Sequence, residues 1–200
     1  AKLETMDDIV KQAMAKWPNV PHCYGWLALD ARGNWRMRDE AAQRANGPGD
    51  KLTNPALVGF INRNYGHDGK GNWYFQNGPQ RVYVNLEATP FIVRTDPAEG
   101  FVLQTGQPMP EPEAVFMTDA GAVVLQAGEV VAQLDDRDAA QVLARMELEG
   151  QPASIEAILA WLEDDAEELS LVLGERRVRV ERLVTEALQR RFGYVQLPGM

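Results

Sequence analysis

The chain has 200 residues, 45% of them apolar, and a formal net charge of −9. That is enough apolar material for a packed core in one domain or two small ones, and no apolar run approaches the roughly 20 residues that cross a bilayer as a helix. A single cysteine, Cys23, excludes an internal disulfide and a multi-cysteine zinc site, and the N-terminus lacks the basic and apolar regions of a signal peptide, so the expected setting is cytoplasmic.

Thr5 is placed to cap a helix running to about Lys16, with Asp7 and Asp8 in its first turn and Ile9, Val10, Ala13, Met14 and Trp17 at helical spacing. Pro18 and Pro21 end it. "WLALD" and "NWRMRD" alternate as two strands joined at Ala31-Arg32-Gly33, and residues 41–51, rich in Gly, Pro, Asn and Asp, read as a loop. Asn54 with Pro55 opens the next helix and Gly66 ends it. After a polar loop over residues 67–71, Trp73–Gln76 and Gln80–Glu87 form a hairpin around Asn77-Gly78-Pro79, and "PFIVR" is a further strand. Residues 96–113, rich in proline and glycine, read as a linker. Beyond it come strands broken at Asp119-Ala120-Gly121 and Ala127-Gly128, then a helix over "DDRDAAQVLARM" capped by Asp135 or Asp136. A helix from Ser154, a hairpin of "LSLVL" and "RRVRVERL", a last helix to Phe192 and a terminal strand "YVQL" complete the chain.

The two halves share a skeleton. Gly-x-x-Arg-Val-x-Val occurs as Gly78, Arg81, Val82, Val84 and again as Gly174, Arg177, Val178, Val180, each at the turn of a hairpin that follows a helix. The element order repeats with the residues, which predicts an α+β protein of two tandem ββ-helix-ββ units, a degenerate internal repeat, behind an N-terminal helix. The expected division is an N-terminal helix and connector (1–20), a first α+β unit (21–95), the linker (96–113) and a second, acidic α+β unit (114–200).

The hairpin at residues 73–83 is the densest run of recognition side chains. Gly78, Val82 and Val84 recur and belong to the scaffold, and recurrence of Arg81 as Arg177 favours cross-strand pairing for it, with anion steering if it is exposed. Trp73, Gln76, Asn77, Gln80 and Tyr83 do not recur, and aromatic rings beside amides are the usual lining of a small-molecule or peptide site. The competing reading makes the rings core and the amides turn caps.

Catalytic signatures are missing from the sequence. His22 and Cys23 are neighbours in an extended segment and point to opposite sides, Ser154 and Ser170 read as a helix cap and a strand residue, and no Gly-x-Ser-x-Gly turn occurs. Asp135, Asp136 and Asp138 lack the spacing of a calcium loop, and neither glycine-rich phosphate signature is present. The expectation is no catalytic residue, no metal ligand and no cofactor. Residues 17–94 carry nine Lys and Arg against six Asp and Glu, whereas residues 95–200 carry eight against twenty, a balance that argues against nucleic acid.

"GWLALDARGNWRMRDE", "LTNPALVGFINRNYG" and "GNWYFQNGPQRVYVNLEATPFIVRTD" together resemble an uncharacterised proteobacterial protein family, as do "DDRDAAQVLARM" and "RRFGYVQLP". The order is also distantly similar to another bacterial family of unknown function with a two-part α+β build. The resemblance implies the fold and a bacterial cytoplasmic setting, and no activity. The function expected is a non-enzymatic ligand- or peptide-binding module with its site on the first unit. The alternatives are a small-molecule enzyme using Asp30 or Asp68 near the hairpin, and an adaptor whose acidic second unit binds a basic protein partner. Open sheet edges permit a homo-oligomer.

Overall fold

In the computed structural model, residues 6–164 and 166–199 are described; the Thr5 cap expected for the first helix lies outside them. That helix, α1 (Asp8–Lys16), buries Val10 and is tied to the body by the Asp7 amide, which donates to Asn64 Oδ1 at 2.8 Å.

The first sheet has six strands. The chain runs through β1 (Cys23–Leu29), β2 (Trp35–Met37), α2 (Glu40–Arg44), β3 (Asp50–Lys51), α3 (Pro55–Arg63), β4 (Tyr65–His67), β5 (Trp73–Asn77) and β6 (Gln80–Leu86), and the strands lie in the order β3-β2-β1-β6-β5-β4. Only β1 and β6 are parallel. The region 41–51, expected as loop, holds α2 and β3. Asp39 caps α2 by accepting from the Ala42 amide, and β3 pairs Arg36 with Lys51 at the sheet edge. α3 starts as its sequence dictates, Asn54 accepting from the Ala56 and Leu57 amides with Pro55 at the first position. It stops at Asn64 rather than Gly66, because residues 65–67 pair with β5.

The second sheet has nine strands. Its elements are β7 (Phe91–Asp96), β8 (Gly100–Leu103), β9 (Ala114–Thr118), β10 (Val123–Ala127), β11 (Val130–Leu134), α4 (Ala139–Leu143), β12 (Met146–Leu148), β13 (Gln151–Pro152), α5 (Ile155–Glu163), β14 (Leu169–Leu173) and β15 (Arg176–Leu183), followed by α6 (Leu188–Phe192). The order is β13-β12-β14-β15-β9-β10-β11-β7-β8. The stretch 96–113 that the sequence marks as a linker carries β8 and a bridge from Val102 to Pro108, and β7 pairs with β11 of this second sheet. The expected strand over Tyr194–Leu197 is not formed. That segment is an irregular strap held by single backbone bonds, Val195 N–H to Gly71 C=O and Leu86 N–H to Gln196 C=O, both 2.8 Å.

The two sheets share a pairing pattern. In each, a leading hairpin (β1–β2, β9–β10) is followed by a helix and a closing hairpin (β5–β6, β14–β15), and the first strand of the leading hairpin lies parallel to the last strand of the closing one, β1 to β6 and β9 to β15. Phe75 faces Val82 as Leu171 faces Val178, and Gln76 faces Arg81 as Val172 faces Arg177. The inner faces of both sheets belong to one buried cluster. At its centre Phe91 of β7 meets Tyr65 and Trp73 of the first sheet, with ring centroids 5.6 and 5.2 Å away. Tyr65 closes this knot by donating to the Pro90 carbonyl at 2.5 Å. Each such aromatic pair contributes about 0.5–1.5 kcal/mol beyond its buried area.

Candidate functional site

Alternation along β5 and β6 sorts the hairpin into two faces. Trp73, Phe75, Val82 and Val84 face the core; Tyr74, Gln76, Arg81 and Tyr83 face outward. Trp73 is therefore removed from the expected ligand site. It is 5% exposed and packs on Tyr65, Phe91 and His67.

The outward rings are committed to one another. Tyr83 stacks on Tyr24 at 4.8 Å and 7°, and meets Tyr74 and His22 edge-on. The Arg81 guanidinium lies 3.9 Å from the Tyr74 ring centre and donates to the Tyr83 hydroxyl at 3.2 Å. Tyr83 in turn donates to Asp68 at 3.4 Å. Gln76 is 2% exposed and donates back to the Gly78 carbonyl, its Oε1 without a partner among the described residues. Gln80 donates to the Pro21 carbonyl at 3.2 Å. Asn77 at the tip is exposed. The structure thus brings Gln76, Arg81 and Tyr83 together on one face, leaves Asn77 and Gln80 at the turn, and places Trp73 on the opposite face.

A large opening lies on that same outer face, two residues further along β6. Asn85, Ala28 and Arg36 sit side by side across β6, β1 and β2, and form the floor of a hollow of about 660 Å³. That volume is in the range of small-molecule sites, about 300–1,000 Å³. Pro48 and Leu197 add apolar wall, Leu197 coming from the C-terminal strap. Gln133 of β11 and Asp136 just beyond that strand close one side, and Asp136 pairs with Arg32 at 3.1 Å across an exposed rim.

Two arginines define the electrostatics. Arg36 donates from Nε to Asp30 at 2.7 Å and from Nη1 to the Gly49 carbonyl at 3.0 Å. Arg38, 9% exposed, donates from Nε to the Gly47 carbonyl at 2.9 Å and from Nη1 to the Gly25 carbonyl at 3.0 Å. Both carbonyls come from irregular backbone: Gly25 sits at φ 85° where the pairing of β1 with β6 slips, and Gly47 follows α2. The arginine alternation of "NWRMRD" is the signal in sequence that could have found this pair. What gives it a site is the parallel β1–β6 pairing, which no local pattern announces.

The carboxylates suggested for proton transfer are held ionised. Burial opposes ionisation of Asp30, but bonds from the Asn34 amide, the Arg36 and Asn34 side chains and the Arg32 amide outweigh it, and its pKa is lowered. Asp68 is lowered in the same way: burial opposes, and the Lys70 amide, the Asn72 side chain and amide and the Tyr83 hydroxyl prevail. A general acid or base working near neutral pH needs the opposite shift. Burial also raises the pKa of the Cys23 thiol, away from a reactive thiolate. Among the described residues, no three His, Cys, Asp or Glu side chains gather as metal ligands would, and no helix is long and apolar enough to cross a membrane.

Comparison with known proteins supports the fold. The model of the family DUF2944, described as a protein of unknown function (DUF2946), matches residues 6–199. A crystal structure of a DUF1285 family protein from Silicibacter pomeroyi is similar over 94% of this chain and 93% of that one, with a TM-score of 0.51 at 14% identity. No curated protein sequence matches the chain.

Proposed function

We propose that this chain, which belongs to the DUF2944 family of proteins of unknown function, is a non-enzymatic binding module whose site is the hollow on the outer face of the first sheet. One observation carries the reading. Four polar side chains converge on the hollow with hydrogen-bonding capacity to spare: Arg36 and Arg38 have no described partner for Nη2, and Asn85 and Gln133 make no side-chain hydrogen bond among the described residues. Fixed polar groups set among apolar lining are what a small-ligand site requires, since they orient a ligand whose apolar part drives entry. The hairpin tip, with Asn77 and Gln80 beside Arg81, lies at the far end of β6 from the hollow and contributes none of its lining.

The test is a thermal-shift panel of nucleotides, carboxylic acids, phosphate esters and short peptides. An Ala28→Trp variant, which fills the hollow from its floor, and an Asn77→Ala/Gln80→Ala variant are run alongside. A ligand at 100 times its Kd adds about 2.7 kcal/mol to the folded state, a readily measured rise in Tm. The expected outcome is a shift abolished by Ala28→Trp and kept by the hairpin variant. A shift lost only in the hairpin variant would move the site to the turn, and a panel without any shift would overturn the reading.

A further inference from the structure

Resting on the hollow as a ligand site, we infer that its ligand is a small amphiphilic anion, a carboxylate or phosphate group on a short apolar body, with the anionic group seated between Arg38 and Arg36. Of the three arginines on the hollow, Arg32 has Asp136 and Arg36 has Asp30 as carboxylate partners, whereas Arg38 makes no ion pair among the described residues although it is 9% exposed. A buried guanidinium satisfied only by carbonyls keeps its full charge, and an unpaired charge taken out of water is costly unless a counter-charge arrives. The two carbonyl bonds also fix the guanidinium plane, with Nε and Nη1 consumed by the protein. Nη2 has no acceptor among the described residues and is not among the buried polar atoms lacking a partner, so it stays open to solvent at the wall of the hollow.

Arg36 of β2 repeats the arrangement two residues before Arg38, which follows the end of that strand, and its Nη2 is likewise without an acceptor among the described residues. Positions i and i+2 on a strand stand roughly 7 Å apart, so one carboxylate or phosphate can accept from both. The carboxylates nearby cannot serve in its place. Asp30 already accepts four hydrogen bonds, Glu87 accepts from the Ala31 amide, and Asp136 faces Arg32. A cation would meet Arg38 unshielded. The apolar body follows from the rest of the lining, where Ala28, Pro48 and Leu197 offer hydrocarbon, and Asn85 and Gln133 suit a polar substituent at the margin.

The probes are octanoate, octyl phosphate and octan-1-ol, which share a chain and differ in the head group, titrated by calorimetry into the intact protein, its Ala28→Trp variant and its Arg38→Gln variant. The expected result is that at least one anion binds about tenfold or more tighter than the alcohol, as a charge-assisted hydrogen bond predicts. Its affinity should fall with added salt and drop by a similar factor in Arg38→Gln. Octanoate against octyl phosphate decides which head group the site prefers. Equal binding of all three, abolished by Ala28→Trp, overturns the anion while leaving the hollow as a ligand site. Anion binding that survives Ala28→Trp, or no anion binding at all, overturns the inference. If Arg38→Gln does not fold, the comparison of anion with alcohol and the salt dependence of the unmodified protein decide it.

Discussion

Gly71 and Gly78 both sit at positive φ, 89° and 57°, but their surroundings differ. A Cβ at Gly78 would meet nothing within 4 Å, so the glycine serves the turn alone; a Cβ at Gly71 would lie 2.2 Å from the Gly193 carbonyl oxygen, where the C-terminal strap begins. Gly78→Ala should therefore cost roughly 1–2 kcal/mol, the ordinary penalty of a left-handed residue. Gly71→Ala should cost more than about 3 kcal/mol, since overlap with fixed backbone adds to that strain. Urea midpoints of the two variants check the difference; equal costs would mean the strap does not hold Gly71 in place. The same scale shows what local reading could and could not give. The period-two rule separates Trp73 and Phe75 from Tyr74 and Gln76 on sequence alone. It does not say which face is core, and so it could not exclude Trp73 from a ligand site. Nor does it find the acceptors of the Gln76 and Gln80 amides, the Gly78 and Pro21 carbonyls, which are defined only once the turn and the neighbouring connector are in place.

Elements with strong local chemistry were legible. The α3 start follows from Asn54 and Pro55, whose side chain and ring satisfy the first turn without help from the rest of the molecule. Asn54→Ala should accordingly cost about 1 kcal/mol, while Asn54→Asp should be nearly neutral because a carboxylate caps as well and favours the helix N-terminus. Chemical denaturation of both variants tests this, and an equal loss in both would show that the amide nitrogen of Asn54 matters rather than its oxygen. Ser154 at α5 is the same device, accepting from the Ala157 amide. The hairpins β5–β6 and β14–β15 were likewise marked by Gly78 and Gly174 at their turns, at φ 57° and 61°. Short elements escaped. β3, β4 and β13 hold two or three residues each, too few to carry a pattern, and they exist because an edge strand next to them has backbone groups to pair. The strap at Tyr194–Leu197 shows the converse: apolar alternation suggests a strand, but its backbone makes isolated bonds to Gly71, Leu86 and Gln189 rather than a ladder along one strand.

Across the whole molecule the principal departure from the sequence reading lies at residues 91–103. Proline and glycine beyond Asp96 suggested a break between two units, yet β7 and β8 form a hairpin in the second sheet while Phe91 packs against Tyr65 and Trp73 of the first. One buried cluster therefore spans both sheets. A single cooperative unfolding transition is expected, with tryptophan fluorescence and far-UV circular dichroism coinciding. Phe91→Ala, at a site 1% exposed, should lower stability by about 3–5 kcal/mol and shift both signals together. Two separated transitions would mean that the sheets unfold as independent bodies. Turn glycines, cap side chains and alternation act within a few residues, so the α+β class, the hairpins, the capped helices and the matching Gly-x-x-Arg-Val-x-Val skeletons are legible along the chain. Which face of each sheet is buried, the parallel pairing of β1 with β6, and the meeting of Arg36, Arg38, Asn85 and Gln133 at one hollow arise only on folding. Those facts depend on contacts between residues far apart in the chain, and what selects them is the burial of one shared core rather than any local preference.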